Sequence, residues 1–264
     1  MSKLLKYMLI AGLFLAVSPR PAAQSEYLVA QGSLYDIPPR WLVDMPTAGT
    51  LPRGHFDVGF RFYPNGGALT HTDIGLSSRI MLGISFGGEG VITAGDPDWN
   101  PKLEFNAKFR IVDEMEFFPA VTVGFSSQGL GAYNDEFKRY SYKSRGFYGV
   151  ISRSFYFYGW TSGWHAGINH SLEDEDGDKD VNVFCGFDAT FKYNLALLLE
   201  FDAALNDNKS YDFAGKGRGY FNTSIKWLFT ENLELELLFK DLLVNRRESS
   251  TVTRAVRLTY IDRF

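Results

Sequence analysis

The chain has 264 residues, with 27 Lys and Arg against 31 Asp and Glu, so its formal net charge at pH 7 is -4. This mild negative charge, without any basic cluster, excludes a nucleic-acid partner. A single cysteine excludes an internal disulfide. The mean hydropathy of -0.14 excludes a bundle of membrane-spanning helices but is compatible with strands that are apolar only at every second residue.

The amino terminus predicts a signal peptide over residues 1–23. Lys3 and Lys6 precede an apolar core at 8–17, and small residues end at Ala23. A retained membrane anchor is the alternative, but ten apolar residues are too few to span a bilayer. We therefore expect the chain to be exported.

Residues 24–52 do not alternate cleanly and contain Pro38, Pro39 and Pro46. Proline cannot donate to a strand ladder, which favours an extended segment here. Two interpretations stay open for it: a possible first strand or a plug in a lumen. Residues 53–264 form the predicted β domain, and no other domain is expected.

A period of two runs through residues 53–264 and predicts strands, because successive side chains of a strand point to opposite faces. Single-chain bacterial barrels have an even number of strands, so a twelfth is expected at 27–35 or 41–50, and strand 55–63 should then start on the extracellular side. The eleven visible strands are predicted at 55–63, 75–90, 102–112, 116–127, 144–157, 160–172, 181–193, 195–206, 218–229, 232–242 and 252–264.

One face of these strands is apolar and the other is charged. Phe56, Leu82, Leu197 and Val256 are typical of the apolar face, which should meet lipid. The charged face should line a narrow lumen in which opposite charges pair, and it contains no ring of one sign that would indicate a selective pore. Whether this network is structural or lines a pore stays open. Its members are Arg61, Arg79, Glu104, Lys108, Arg110, Asp188, Lys192, Glu200, Asp202, Lys226, Glu234, Glu236 and Arg257.

Connections between the predicted strands alternate between tight and long. This regularity is typical of barrels with turns at one end and loops at the other. The predicted fold class is all-β: an antiparallel transmembrane β-barrel of about 12 strands, with long extracellular loops and tight periplasmic turns.

The last predicted strand alternates and ends on an aromatic. In this it resembles the assembly signal of bacterial outer-membrane β-barrels, carried here by Tyr260 and Phe264. The resemblance implies the outer membrane of a Gram-negative-type bacterium. The partners it implies are outer-membrane lipid, lipopolysaccharide and the barrel-assembly machinery.

A second resemblance is carried by three short stretches. The Met45-Pro-Thr-Ala48 sequence leads to Gly54, Lys108-Phe-Arg-Ile111 precedes Phe118-Pro-Ala120, and Tyr148-Gly-Val-Ile-Ser-Arg153 follows. Together they resemble the YjbH-like outer-membrane proteins linked to exopolysaccharide production. The resemblance implies a porin-like barrel with a role in envelope export and possible export partners. It implies no catalytic residue.

Two other sites are weaker hypotheses. Asp174, Asp176, Asp178 and Asp180 alternate around Gly177 and could hold Ca²⁺, although the spacing does not fit an EF-hand. An outer-membrane lipid-modifying hydrolase would use His165 with Ser171, which share the inward parity.

The preferred function from the sequence is a narrow channel or an accessory component of envelope or exopolysaccharide export, without enzymatic activity or a cofactor. The lipid-modifying hydrolase is one alternative. A soluble periplasmic β-sandwich that binds a ligand is the other.

Overall fold

The computed structural model describes residues 37–157, 160–191 and 194–264. Within these ranges the protein is all-β and contains no helix. Accordingly, the described part of the chain has no helix long and apolar enough to cross a membrane. The fifteen strands are β1 (His55–Tyr63), β2 (Gly67–Ser77), β3 (Ile80–Glu89), β4 (Asp98–Trp99), β5 (Glu104–Val112), β6 (Ala120–Ser126), β7 (Leu130–Asn134), β8 (Arg139–Tyr142), β9 (Gly146–Phe157), β10 (Trp160–His170), β11 (Asn182–Phe191), β12 (Leu195–Asp202), β13 (Tyr220–Leu228), β14 (Leu233–Lys240) and β15 (Thr253–Arg263).

Twelve of the described strands close into one antiparallel barrel, as the sequence predicts. The order runs β2-β1-β15-β14-β13-β12-β11-β10-β9-β6-β5-β3, and pairing of β2 with β3 closes the ring. The first and last of the described strands meet along their length, with His55 opposite Arg263 and Phe62 opposite Val256. Strand β4 extends the edge of β3, and β7 and β8 form a separate hairpin.

The twelfth strand is β2. Of the two positions predicted for it, 41–50 was wrong and 27–35 cannot be compared. Residues 41–50 form no strand, and 27–35 lie outside the described residues. The predicted strand 75–90 is the end of β2, a turn at 78–79, and β3. Strand β2 escaped prediction because its outward face carries Thr70 and Thr72, which weakens the alternation of hydrophobicity.

Adding β2 reverses the predicted direction of β1. His55 and the carboxyl terminus lie at the same end of the barrel, which we call the turn end. At this end β2–β3, β5–β6, β9–β10, β11–β12 and β13–β14 are joined by short connections, the longest being 113–119. The opposite end, the loop end, has long connections over 90–103, 127–145, 171–181, 203–219 and 241–252, and a short one over 64–66.

The two faces of the wall follow the predicted parity. Phe105 and Leu82 point outward and are 55% and 46% exposed. Neighbouring residues in the same strands, Glu104 and Met81, point inward and are fully buried. The outside of the barrel is therefore apolar and the inside contains charges, which is the reverse of a water-soluble protein.

Candidate functional site

Residues 40–51, which we call the lumenal segment, fold back on themselves inside the barrel. The amide of Leu42 donates to the carbonyl of Met45 at 2.8 Å, and the amide of Thr47 donates to the carbonyl of Arg40 at 3.1 Å. Leu42, Met45 and Leu51 are buried. Because this bend is not a strand, most of its backbone polar groups need partners outside the segment.

Asp44 holds one side of the lumenal segment. Its carboxylate is 2.6 Å from Nη1 of Arg61 on β1 and 2.6 Å from Nζ of Lys240 on β14. The amides of Asp44 and Met45 donate to the carboxylate of Glu200 on β12 at 2.8 and 2.9 Å. These contacts bridge strands on different parts of the wall, so Asp44 lies between them in the lumen.

The remaining polar groups of the segment bind other strands. Lys108 of β5 donates to the carbonyl of Arg40, Thr122 of β6 donates to the carbonyl of Ala48 at 3.1 Å, and Arg257 of β15 donates to the carbonyl of Val43 at 2.8 Å. Partners therefore surround the segment. Charged inward side chains that would be solvated in a wide pore instead bind the segment.

Three apolar clusters fill the rest of this region, and one of them joins Val43 to Leu238 and Ala255. Leu42 and Met45 pack in a second buried cluster that includes Phe184 and Leu198 of the wall. A third cluster joins Leu51 to Met81 and Ile261. No side chain of the third cluster is accessible to solvent. The lumen at these levels is packed rather than filled with water.

A cavity of about 130 Å³ remains between the lumenal segment and the wall. Its lining includes Trp41, Asp44, Arg61, His71 and Asp73. Both signs of charge occur around it.

His165 has partners other than the predicted one. Its Nδ1 lies 2.7 Å from the hydroxyl of Ser152, and its Nε2 lies 2.8 Å from the carboxylate of Asp188. Asp188 can only accept, which places a proton on Nε2 and lets the Ser152 hydroxyl donate to Nδ1. The Ser152 oxygen also accepts the amide of Ala48 at 2.8 Å.

The predicted pair of His165 and Ser171 was wrong. The Ser171 hydroxyl accepts the amide of Glu173 at 3.2 Å in the loop that follows β10. Ser152 takes the place beside His165, and it is buried in contact with Ala48 of the lumenal segment. The arrangement positions Ala48 rather than exposing a nucleophile.

The charged residues predicted to line the lumen make varied contacts. Asp202 pairs with Arg145 at 2.6 Å, and Glu104 accepts the hydroxyl of Tyr140 at 2.8 Å. Lys226 pairs with Glu234 at 3.3 Å, and Glu236 pairs with Arg257 at 3.1 Å. Asp188, Glu200, Asp202 and Lys226, predicted to form one network, each bind a different partner.

One residue of that predicted set is placed differently, one lies near the end of the barrel, and one cannot be compared. Arg79 does not line the lumen: it lies in the β2–β3 turn, half exposed, and pairs with Asp113 in another turn. Arg110 lies near the same end and donates to Thr50 of the lumenal segment. Lys192 lies outside the described residues. At the last strand, Tyr260 points outward, and Phe264 stacks on Phe56 with ring centroids 5.0 Å apart.

The four aspartates considered for Ca²⁺ do not converge. Asp176 pairs with Arg139 at 2.6 Å and with Lys143 at 2.8 Å. Asp178 accepts the amide of Asn208 at 3.1 Å, and Asp174 pairs with Lys179 at 3.1 Å. Asp180 is exposed. Bound cationic side chains take the place that a calcium ion would need at Asp176, so this hypothesis is not supported.

The burial of Glu173 predicts that the stability of the loops at the loop end depends on pH. Burial raises the pKa of this carboxyl to about 7. Hydrogen bonds from the amides of Ser144 and Tyr140 lower the pKa, but burial has the larger effect. The folded loops therefore bind a proton more tightly than the unfolded chain does. Their stability should be greatest below the ordinary pKa of 4.5 and should decrease as the pH rises toward 7.

We expect this loss to be on the order of 2–3 kcal/mol between pH 4 and pH 8. Hydrogen exchange of the Tyr140 and Ser144 amides would measure it as decreasing protection. Glu173→Gln cannot ionise and should flatten the profile. A profile equally steep in Glu173→Gln would assign the effect to another group.

Several residues of the site were missed by sequence reasoning. Asp44 lies in a segment without periodicity, so no pattern indicates its partner. Lys240 lies on the inward face of β14 but is not among the residues predicted for the network. His71 was missed with β2, although the Asn65-Gly66 dipeptide before it is a hairpin signal: both residues have positive φ, 60° and 65°.

Comparison with known proteins finds similarity only in structure. No family model matches the sequence, and no curated protein matches it either. The KdgM porin is similar at a TM-score of 0.45 and 9% identity, over 80% of this chain and 99% of that one. The NanC porin gives 0.45 and 10%, over 79% and 99%. The Acinetobacter baumannii outer membrane protein Omp33 gives 0.45 and 8%, over 80% and 98%. Similarity at this level assigns neither a family nor a function to the chain.

Proposed function

We propose that the chain is an outer-membrane β-barrel that forms a narrow channel closed by its own lumenal segment. The observation that carries this proposal is the binding of residues 40–51 to inward-facing side chains of β1, β5, β6, β12, β14 and β15. An open general porin would leave those side chains to water. Here they are occupied, so passage requires that the segment move.

The apolar exterior supports the membrane location in this proposal. Large side chains such as Phe60, Phe109 and Ile225 are 44–49% exposed on outward-facing strand positions. Water-soluble monomers rarely expose a continuous apolar surface of this extent. A lipid-facing charge tests the location: Phe60→Arg, in the middle of β1, should destabilise the barrel by about 2–4 kcal/mol, as a cation near the bilayer midplane does. Urea unfolding in vesicles would measure this, and no loss would favour the soluble alternative.

The exported material is the finer part of the proposal. The Met45-Pro-Thr-Ala48 sequence on which the YjbH-like resemblance depends lies within the lumenal segment. In this proposal the motif serves closure of the channel, and the cargo is an envelope polysaccharide. Deleting the gene should reduce secreted polysaccharide. Unchanged secretion would contradict the polysaccharide cargo and leave only the closed channel as the proposed function.

Conductance in planar bilayers tests the closed channel directly. The wild-type chain should be nearly silent, because the lumen is packed. Asp44→Ala removes the carboxylate that binds Arg61 and Lys240, and should give discrete openings. Asp113→Ala is the matched control, since its ion pair with Arg79 lies in exposed turns, and it should stay silent. Large steady conductance of the wild-type chain would contradict the proposal.

A further inference from the structure

Three potential metal ligands meet on the inner wall where β1 pairs with β2. Asp57 lies directly opposite Asp73, and His71 is two residues from Asp73 on the same inward face. One ligand atom from each residue lies within 4.8 Å of the others. Both aspartates are buried, whereas the His71 side chain is 23% exposed.

Glycines in the neighbouring strands make room for two of these side chains. Gly59 pairs with His71, and a Cβ at Gly59 would lie 2.0 Å from the imidazole. Gly83 pairs with Asp73, and a Cβ there would lie 1.7 Å from its carboxylate. Any larger residue at either position would displace the side chain. The wall thus holds His71 and Asp73 flat against it, beside Asp57.

Protein side chains balance only part of the charge of this group. Carboxylates directly opposite each other on paired strands repel. Asp57 has one cationic partner, Nη2 of Arg40 at 2.8 Å. Asp73 accepts from the side-chain Nδ2 of Asn106 at 3.0 Å, and within the described ranges no Lys or Arg nitrogen comes within 4.0 Å of it. The nearest His71 nitrogen is 3.7 Å from Asp57, too long for a hydrogen bond.

We propose that Asp57, His71 and Asp73 bind a divalent transition-metal ion, with Zn²⁺ as the reference ion. Two carboxylate oxygens and one imidazole nitrogen are a donor set that Zn²⁺ accepts, at ligand distances of about 2.0–2.2 Å. Ligand atoms around a tetrahedral ion at these distances are about 3.4 Å apart, so pairs of ligand atoms must approach by at most about 1.4 Å to complete the site. His71 and Asp73 line the cavity, which gives the ion access and space for a water ligand.

Arg40 and the ion share Asp57. The guanidinium of Arg40 supplies part of the positive charge that the ion would bring, and it belongs to the lumenal segment. Binding of the ion should therefore weaken the contact between Arg40 and the wall. Removal of the Arg40 charge should strengthen metal binding, an effect that a purely structural ion pair would not produce.

Calorimetric titration of Zn²⁺ into the refolded, untagged full chain in detergent tests the site. We expect one ion per chain. His71→Ala and Asp73→Asn should each weaken binding at least about tenfold, the minimum expected when a ligand is lost. Arg40→Gln should strengthen it several-fold. His55→Ala is the control, since this histidine lies at the turn end and should leave binding unchanged.

Co²⁺ provides a second measurement that does not depend on the variants. Its visible absorption in the wild-type chain should report bound nitrogen and oxygen ligands and should disappear on addition of Zn²⁺. Absence of binding by the wild-type chain, or equal affinity in His71→Ala and Asp73→Asn, overturns the proposal. Conductance is not a readout here, so failure of the metal site is distinguishable from failure of the closed channel.

Discussion

Asp44→Ala should lower the free energy of unfolding by about 3–5 kcal/mol, the cost of removing one partner from a buried ion pair. Lys240 is fully buried, and Arg61 is nearly so. Both cations would keep their desolvation cost after the substitution but lose the carboxylate that compensates it. Urea unfolding of the refolded barrel, followed by tryptophan fluorescence, would measure the loss.

The control for Asp44 is again Asp113, whose ion pair with Arg79 is about half exposed on both sides. Asp113→Ala should cost no more than about 1 kcal/mol because water screens that pair. Adding Lys240→Met to Asp44→Ala should recover part of the stability, since it removes one uncompensated charge. Equal unfolding midpoints for Asp44→Ala and Asp113→Ala would show that the lumenal segment contributes little to stability.

Asp176→Ala should have the second large effect, also about 3–5 kcal/mol. Its carboxylate binds Arg139 of β8 and Lys143 just after it, and all three side chains are almost completely buried. In this variant Arg139 would retain its ion pair with Asp207 at 2.9 Å, whereas Lys143 would retain only its hydrogen bond to the carbonyl of Asp178. The β7–β8 hairpin should therefore detach from the loop that follows β10 before the barrel unfolds.

Limited proteolysis at the loop end would show this detachment. Asp174→Ala is the matched control two residues away, because its partner Lys179 is exposed and the pair contributes little. Asp176→Ala should be cleaved within 127–145 much faster than Asp174→Ala. Similar cleavage rates in the two variants would indicate that the hairpin is held by its other contacts.

The sequence predicted the barrel because its evidence is local. Alternation in β5 or β14 places Phe105 outside and Glu236 inside without reference to any other strand. The site required information of another kind. The partner of Asp44 is 196 residues away at Lys240, and no periodicity connects them. The prediction of strand β2 failed for a local reason, since threonines on its outer face obscured the alternation of hydrophobicity that revealed its neighbours.

The partners of His165 show the same limit. Parity correctly gave it an inward direction, but parity cannot choose among inward hydroxyl groups. Register decides the choice: Ser152 lies directly opposite His165 on β9, whereas Ser171 lies beyond the end of β10. Only the alignment of adjacent strands contains that information.

The placement of the lumenal segment fixes the order of events during biogenesis. Arg257 of the final strand donates to Val43, 214 residues earlier, and Lys108 of β5 reaches the same segment from elsewhere in the ring. The segment can complete these contacts only when β5 and β15 both lie in the ring, and contacts so distant in sequence form slowly. If the chain is the closed channel proposed above, we expect newly assembled molecules to pass through a hollow intermediate, and cells overproducing the protein should leak small solutes in proportion to its rate of synthesis rather than its accumulated amount.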